Sequence, residues 1–147
     1  MKSYLLLLLL SVFTFMSCTV KPEPIAYGSD GCHFCSMTIV DQQHAAQIVT
    51  SKGKAFKFDA AECMMNYLRD MNTADVALYL TNTYNRPGEL IDATKATYLV
   101  SKNIPSPMGE FLTAFDSEES AKNVQSESQG ELFSWQELKN HFDSKKK

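Results

Sequence analysis

The chain has 147 residues, 44% of them hydrophobic, a formal net charge of −3 and four cysteines. That length suits one domain around a single core. Its basic residues are scattered, apart from Lys145 to Lys147 at the very end, which excludes nucleic acid as a partner.

In chain order, Lys2 precedes an apolar run from Tyr4 to Phe15. The run is too short for a membrane span, which takes roughly 20 residues, and suits the core of a signal peptide. Ser17-Cys18 follows, and a small residue directly before a cysteine here resembles a bacterial lipobox, although Phe15 and Met16 depart from its usual pattern. Residues 1–17 are thus predicted to be a signal peptide and Cys18 the lipidation site; the plainer alternative is an ordinary signal peptide that leaves Cys18 free. Two acyl chains on Cys18 suffice for stable membrane anchoring. Residues 18–26, with Pro22 and Pro24, read as an extended tether. The protein is expected on the periplasmic side of a bacterial membrane. Processing removes one of the 14 basic residues and none of the 17 acidic ones, leaving a net charge of −4.

Residues 27–147 form the predicted domain, opening on "GCHFCSM" (Gly31 to Met37). Three thiols outside the cytoplasm, Cys32, Cys35 and Cys63, are too few and too odd in number for a disulfide scaffold. A thioredoxin-like pair needs a helix after its first Cys, and β-branched Thr38, Ile39 and Val40 argue for an extended segment instead. Zinc built from Cys32, Cys35, His33 and Cys63 stays open, as does a Cys32–Cys35 disulfide. Met37 points elsewhere, because thioether sulfur is a poor zinc ligand and a good one for Cu(I). On an extended segment Cys35 and Met37 share a face, and Cys32 joins them if Gly31 and a turn at His33-Phe34 fold it back. His33 is a further ligand or an exposed turn residue.

Two segments, "FKFDAAE" and "TAFDSEE", repeat Phe-Asp-x-x-Glu. Each ends a strand and opens a helix, with Asp59 or Asp116 as N-cap, Glu62 or Glu119 as its capping-box partner, and Phe58 or Phe115 as a hydrophobic staple. Around them the same order is predicted twice, in halves of about 38–84 and 90–142. The first has strands 45–50 and 54–58 joined at Ser51-Lys52-Gly53, helix 60–71 and strand 76–83. The second has strands 96–100 and 111–115, helix 117–129 and strand 131–133. A last helix starts at Ser134, capped with Glu137, with Trp135, Leu138 and Phe142 on one face. The expected fold is α+β, a tandem ββαβ with mostly antiparallel sheets and a C-terminal helix.

Cys63 falls at the fourth helical position, where packing is the expected role. Met64, Tyr67, Leu68 and Met71 follow the helical apolar stripe, and Met65 lies off it, on the surface or bordering a metal. Met108, in a stiff loop between Pro107 and Gly109, is either a ligand or a plug. His44 and His141 have no companions and read as solvated. The carboxylates read as helix caps or exposed groups.

Together "CHFCSM", "KFDAAECMMNYL", "IDATKATYLVSKNIPSPMGEFLTAF" and "GELFSWQEL", in this order after a lipobox, resemble the NosL family of copper-chaperone lipoproteins. The family usually has Gly where this chain has Ser36. The resemblance implies a fold similar to the organomercurial lyase MerB and one bound Cu(I), with Cys32, Cys35, Met37 and Met108 as candidate ligands. It also implies delivery of copper to the assembly machinery of nitrous oxide reductase. The competing readings are a thiol-based enzyme, either an oxidoreductase or a MerB-like lyase with Asp30 or Asp59 as its acid, and a structural or adaptor lipoprotein. The enzyme and the adaptor have no use for thioethers.

Overall fold

The computed structural model describes residues 19–145, so Cys18 and the predicted signal peptide lie outside the described residues. Strands β1 (Ala46–Thr50) and β2 (Ala55–Phe58) form a hairpin. It turns on Gly53, whose φ of 81° suits a residue without a Cβ. Helix α1 (Ala61–Leu68) follows, then a 3-10 turn, and β3 (Val76–Thr83) returns along the other side of β1. The second half repeats this path. Strands β5 (Thr97–Val100) and β6 (Leu112–Phe115) pair, helix α2 (Glu118–Ser128) crosses, and β7 (Glu131–Phe133) returns beside β5. The orders β2-β1-β3 and β6-β5-β7 are the same, with the first strand of each half in the middle. The fold is the α+β tandem ββαβ that the repeat predicts, with α3 (Trp135–Ser144) at the C-terminal end.

One strand escaped the sequence pattern. β4 (Arg86–Asp92), where the sequence reading assigns no element, pairs with β3 and closes the first sheet with Pro87 and Gly88 in it. An edge strand tolerates proline because one row of its N–H groups needs no partner in the sheet.

The helix starts also differ from expectation. Asp59 is buried and does not cap α1; Ala60 stands at the cap with no side-chain bond. The α2 cap is Ser117, whose Oγ accepts from the Ser120 N–H, while Asp116 pairs with Arg86. Both Phe-Asp motifs therefore enter their helices one residue later than read. In α3 the predicted capping box is present, linking Ser134 and Glu137. Helix α1 stops at Leu68, three residues early.

Phe58 and Phe115, at equivalent places in the two halves, are fully buried. The main core joins Ile48, Phe58, Met64, Tyr98, Leu138 and Phe142. Helix α1 packs against β1, β2 and β6, so it is shared by both sheets. Met65 is buried, not on the surface, because α3 covers that side of α1 with Phe142 and Trp135. His44 is buried too, its Nδ1 2.9 Å from Asp41 Oδ2 and its Nε2 3.4 Å from Thr113 Oγ1 on β6. Its companions lie three and 69 residues away, and the distant one is on the other half. The His141 ring meets Phe133 at a tilt and Phe142 edge-on. The N-terminal segment docks earlier than a tether to residue 26 implies: the Glu23 N–H donates to Gln47 Oε1, and Gln47 Nε2 donates back to the Glu23 carbonyl, both at 2.8 Å.

Candidate metal centre

"GCHFCSM" folds as a closed loop. The Cys32 N–H donates to the Met37 carbonyl at 2.7 Å, and the Ser36 N–H donates to the Cys32 carbonyl at 2.9 Å. A single antiparallel bridge joins Gly31 to Thr38, and the His33 N–H donates to the Lys57 carbonyl on β2. The reversal needs a left-handed residue, and it is Ser36, with φ 64°, rather than Gly31. Cys35 and Met37 therefore do not share one face of an extended segment, as the alternation argument expected. A left-handed serine costs roughly 1–2 kcal/mol that glycine avoids. Ser36→Gly should raise stability by about 1 kcal/mol net of the added chain entropy. Thermal melting of the metal-free protein checks this, with an expected rise of roughly 4 °C for a domain of this size.

The loop lays Cys32 and Cys35 against the first turn of α1. There the Sγ atoms of Cys32, Cys35 and Cys63 all lie within 4.8 Å of one another. Two sulfurs each about 2.3 Å from one ion are at most about 4.6 Å apart, so the trio is already near the span of a chelate. Cys32 and Cys63 are buried and Cys35 is half-buried, and all three are free thiols. Cys63 is buried in the core, as its helical position predicts, and also lies in the cluster; helical position said nothing about what the N-terminal loop would bring to it.

The electrostatics favour one sulfur anion, at Cys32. The Cys63 S–H donates to Cys32, and the N–H groups of Cys35, Asp59 and Phe34 are aimed at the same sulfur, so the Cys32 thiol lies well below its usual pKa. Cys63, as the proton donor of that bond and beside the Cys32 charge, is pushed up, and burial raises Cys35. Asp59 lies close enough to feel Cys32: burial first, then the Cys32 charge, raise its carboxyl pKa. A carboxyl that resists ionising spares the thiolate a further negative neighbour. Asp30, by contrast, is ion-paired to Lys57 at 2.7 Å, which holds its pKa low.

Among the described residues no histidine nitrogen joins the three sulfurs. The His33 ring rests against Phe56 and Tyr67, with centroids 4.6 and 5.1 Å away. Met37 is on the same loop but turned outward and 52% exposed. Met108 is half-buried and packs against the core that includes Cys32 and Cys63. Its loop is tied to α1 by Glu62, the residue before Cys63. Glu62 is fully buried, accepts the Ser106 hydroxyl hydrogen at Oε1, and has no partner for Oε2. Ser106 in turn accepts the Phe111 N–H at 2.8 Å. Neither this buried carboxylate nor Asp59 fits the expectation that acids lie in caps or on exposed faces. The sequence clue to both was the Phe-Asp-x-x-Glu repeat, read there as capping.

Burial raises the Glu62 pKa, against the lowering effect of Ser106. Its contribution to stability is then fully present below the unfolded-state value and is lost as pH rises through the folded one. Glu62→Gln keeps an acceptor for Ser106 and cannot ionise. The variant should gain stability over wild type as pH rises from about 5 to 8 and lose that advantage in acid. Urea unfolding across this pH range measures it; a difference independent of pH would contradict the assignment.

Comparison with known proteins now bears on this geometry. The family model described as NosL matches residues 25–142. The chain belongs to the NosL family. A relative, the copper-binding lipoprotein NosL of Stutzerimonas stutzeri, is 31% identical over 148 aligned residues, covering 90% of this chain and 78% of that protein. The crystal structure of the copper chaperone NosL from Shewanella denitrificans shares the fold, with a TM-score of 0.71 at 19% identity over 81% of this chain and 96% of that one. In this NosL-family chain the three-thiol cluster lies where β2, α1 and the N-terminal loop meet. These relatives carry names for binding and carrying copper, and neither name describes catalysis. No helix among the described residues is long and apolar enough to cross a membrane.

Proposed function

We propose that this protein carries Cu(I) as cargo, held by Cys32, Cys35 and Cys63, and delivers it for assembly of the copper centre of nitrous oxide reductase. It does so from the periplasmic side of a bacterial membrane, anchored through lipidated Cys18. The observation that carries the reading is the convergence of three sulfurs within 4.8 Å, with no histidine or carboxylate of the described residues in the group. Soft, low-coordinate sulfur suits Cu(I), whereas structural zinc wants a fourth ligand that the described residues do not place there. Depression of the Cys32 pKa favours a thiolate at neutral pH, which supplies charge to the cation. Met108, on the Glu62-held loop, is the neutral sulfur donor of this scheme, while Met37, turned outward, is left to the side a partner approaches. His33 is at most an outer neighbour, its ring occupied by Phe56 and Tyr67.

The test is anaerobic titration of the reduced protein with Cu(I) and with Zn(II), each against a competing chelator. One Cu(I) per chain should bind far more tightly than Zn(II). Comparable affinities for the two metals would sink the proposal. Anchoring is tested separately: Cys18→Ala protein should leave the membrane fraction after signal processing.

A further inference from the structure

We propose that Phe34, Met37 and Val40 form the face that docks a protein partner whose own sulfur or imidazole donor, set in an apolar surround, meets the thiol cluster. The inference rests on the copper-carrier reading above and names the kind of partner for the same site.

Among the described residues the exposed large hydrophobic side chains are these three, at 43%, 52% and 65% exposure. Scattered apolar residues on a surface need no explanation, but these fall within seven consecutive positions of one loop. Between them the chain buries Ile39 completely and half-buries Cys35. The loop is also fixed. Besides its internal bonds, the Ile39 N–H donates to the Asp30 carbonyl and the Gly28 N–H donates to the Ile39 carbonyl, each at 2.8 Å. Three side chains are thus held out in water on a rigid frame, where burial against a partner would be favourable.

The charge around the loop selects the occupant. No Lys or Arg occurs between Lys21 and Lys52. On the neighbouring strand, Lys57 is paired with Asp30, and Lys54 lies over the Phe56 ring. Anionic lipid is met by apolar side chains flanked by free lysine and arginine, which this face lacks. With Lys57 and Asp30 offsetting one another and Asp41 held by His44, the apolar side chains have no free cation beside them, which instead suits a protein whose contact surface is apolar at the centre and polar at the rim.

The chemistry of transfer fits the same face. Cys35, between Phe34 and Met37 in sequence, is the thiol of the three that is not fully buried. A partner donor forms a bond to Cu(I) as the Cys35–copper bond breaks, and the freed thiolate takes a proton from water. Copper keeps its charge throughout, so no oxidant or reductant is required.

The experiment uses the full chain in the native membrane. A photoreactive phenylalanine analogue is placed at Phe34 or, as control, at exposed Lys102 on the other half. Position 34 should crosslink to a protein that position 102 does not reach. That protein, purified, should draw Cu(I) from the wild-type chain. Phe34→Ser/Val40→Ser protein should transfer about tenfold more slowly at unchanged Cu(I) affinity, the loss expected of a modest interface hot spot. Adducts with lipid alone or with a second copy of this chain, no adduct at all, or transfer at the wild-type rate would each overturn the proposal. Failure of the copper reading is distinguishable, because the wild-type chain would then not bind Cu(I) in chelator competition.

Discussion

Cys63→Ala should cost this protein its tight Cu(I) binding while leaving it folded. The thiol comes from the first turn of α1, about thirty residues after the Cys-x-x-Cys loop, and its sulfur lies within 4.8 Å of both others. Disturbing only an outer partner of a metal ligand typically costs about 10–100-fold in affinity, and removing one of three sulfur donors should exceed that. Cys63 is fully buried, but alanine removes only the sulfur, so the stability penalty should be on the order of 1 kcal/mol. Affinity by chelator competition and melting temperature of the metal-free protein, measured on the same sample, separate the two effects. Cys32→Ser should behave alike in affinity, since Cys32 is the sulfur held most readily as thiolate. Should Cys63→Ala retain wild-type affinity, the site reduces to the loop alone, and the helix thiol is packing after all.

The largest effect on stability is expected far from the thiols, at Gly130→Ala. Gly130 joins the end of α2 to β7, with φ 108°, a conformation that residues with side chains rarely adopt. An added Cβ would lie 2.3 Å from the Val100 carbonyl oxygen and 3.0 Å from Ser101 Cα. Those are backbone atoms of and just after the central strand β5, so the clash cannot be relieved by a rotamer. Neighbouring Glu131 pairs with Val100, so relief means pulling β7 off the sheet. Backbone strain and overpacking together should cost roughly 3–5 kcal/mol, much of the reserve of a small domain. Chemical denaturation should show this as a shifted midpoint. The Cu(I) affinity of the molecules that stay folded should be near wild type, because the thiols come from the N-terminal loop and α1 and not from the second sheet.

Periodicity and the repeated Phe-Asp-x-x-Glu were enough to place nine of the elements, all but β4, and the doubled order of the fold. That signal is local. Alternation of apolar residues marks strands, the 3.6-residue stripe marks helices, and Ser134 with Glu137 marks a helix start, each within a few residues. Local rules miss details: they assign no element to the edge strand β4, and they put Asp59 and Asp116 at caps where Ala60 and Ser117 stand.

The sequence by itself also determined that a sulfur-rich loop lies near the start of the domain, and it held the family likeness that the NosL match bears out. Only the tertiary structure decided which sulfurs meet. Cys63, Glu62 and Asp59 lie on or beside the start of α1. Their partners come from the N-terminal loop and from the second half: Cys32 for Cys63 and Asp59, Ser106 for Glu62. The reason is physical. A metal site, like a buried carboxylate, is defined by distances between side chains far apart in the chain, and those distances exist only once α1 is packed between the two sheets. Helical position alone presents Cys63 as one more small apolar residue of the core; the closed loop of Cys32 to Met37, turned at Ser36 and bonded to β2, makes it a neighbour of two thiols.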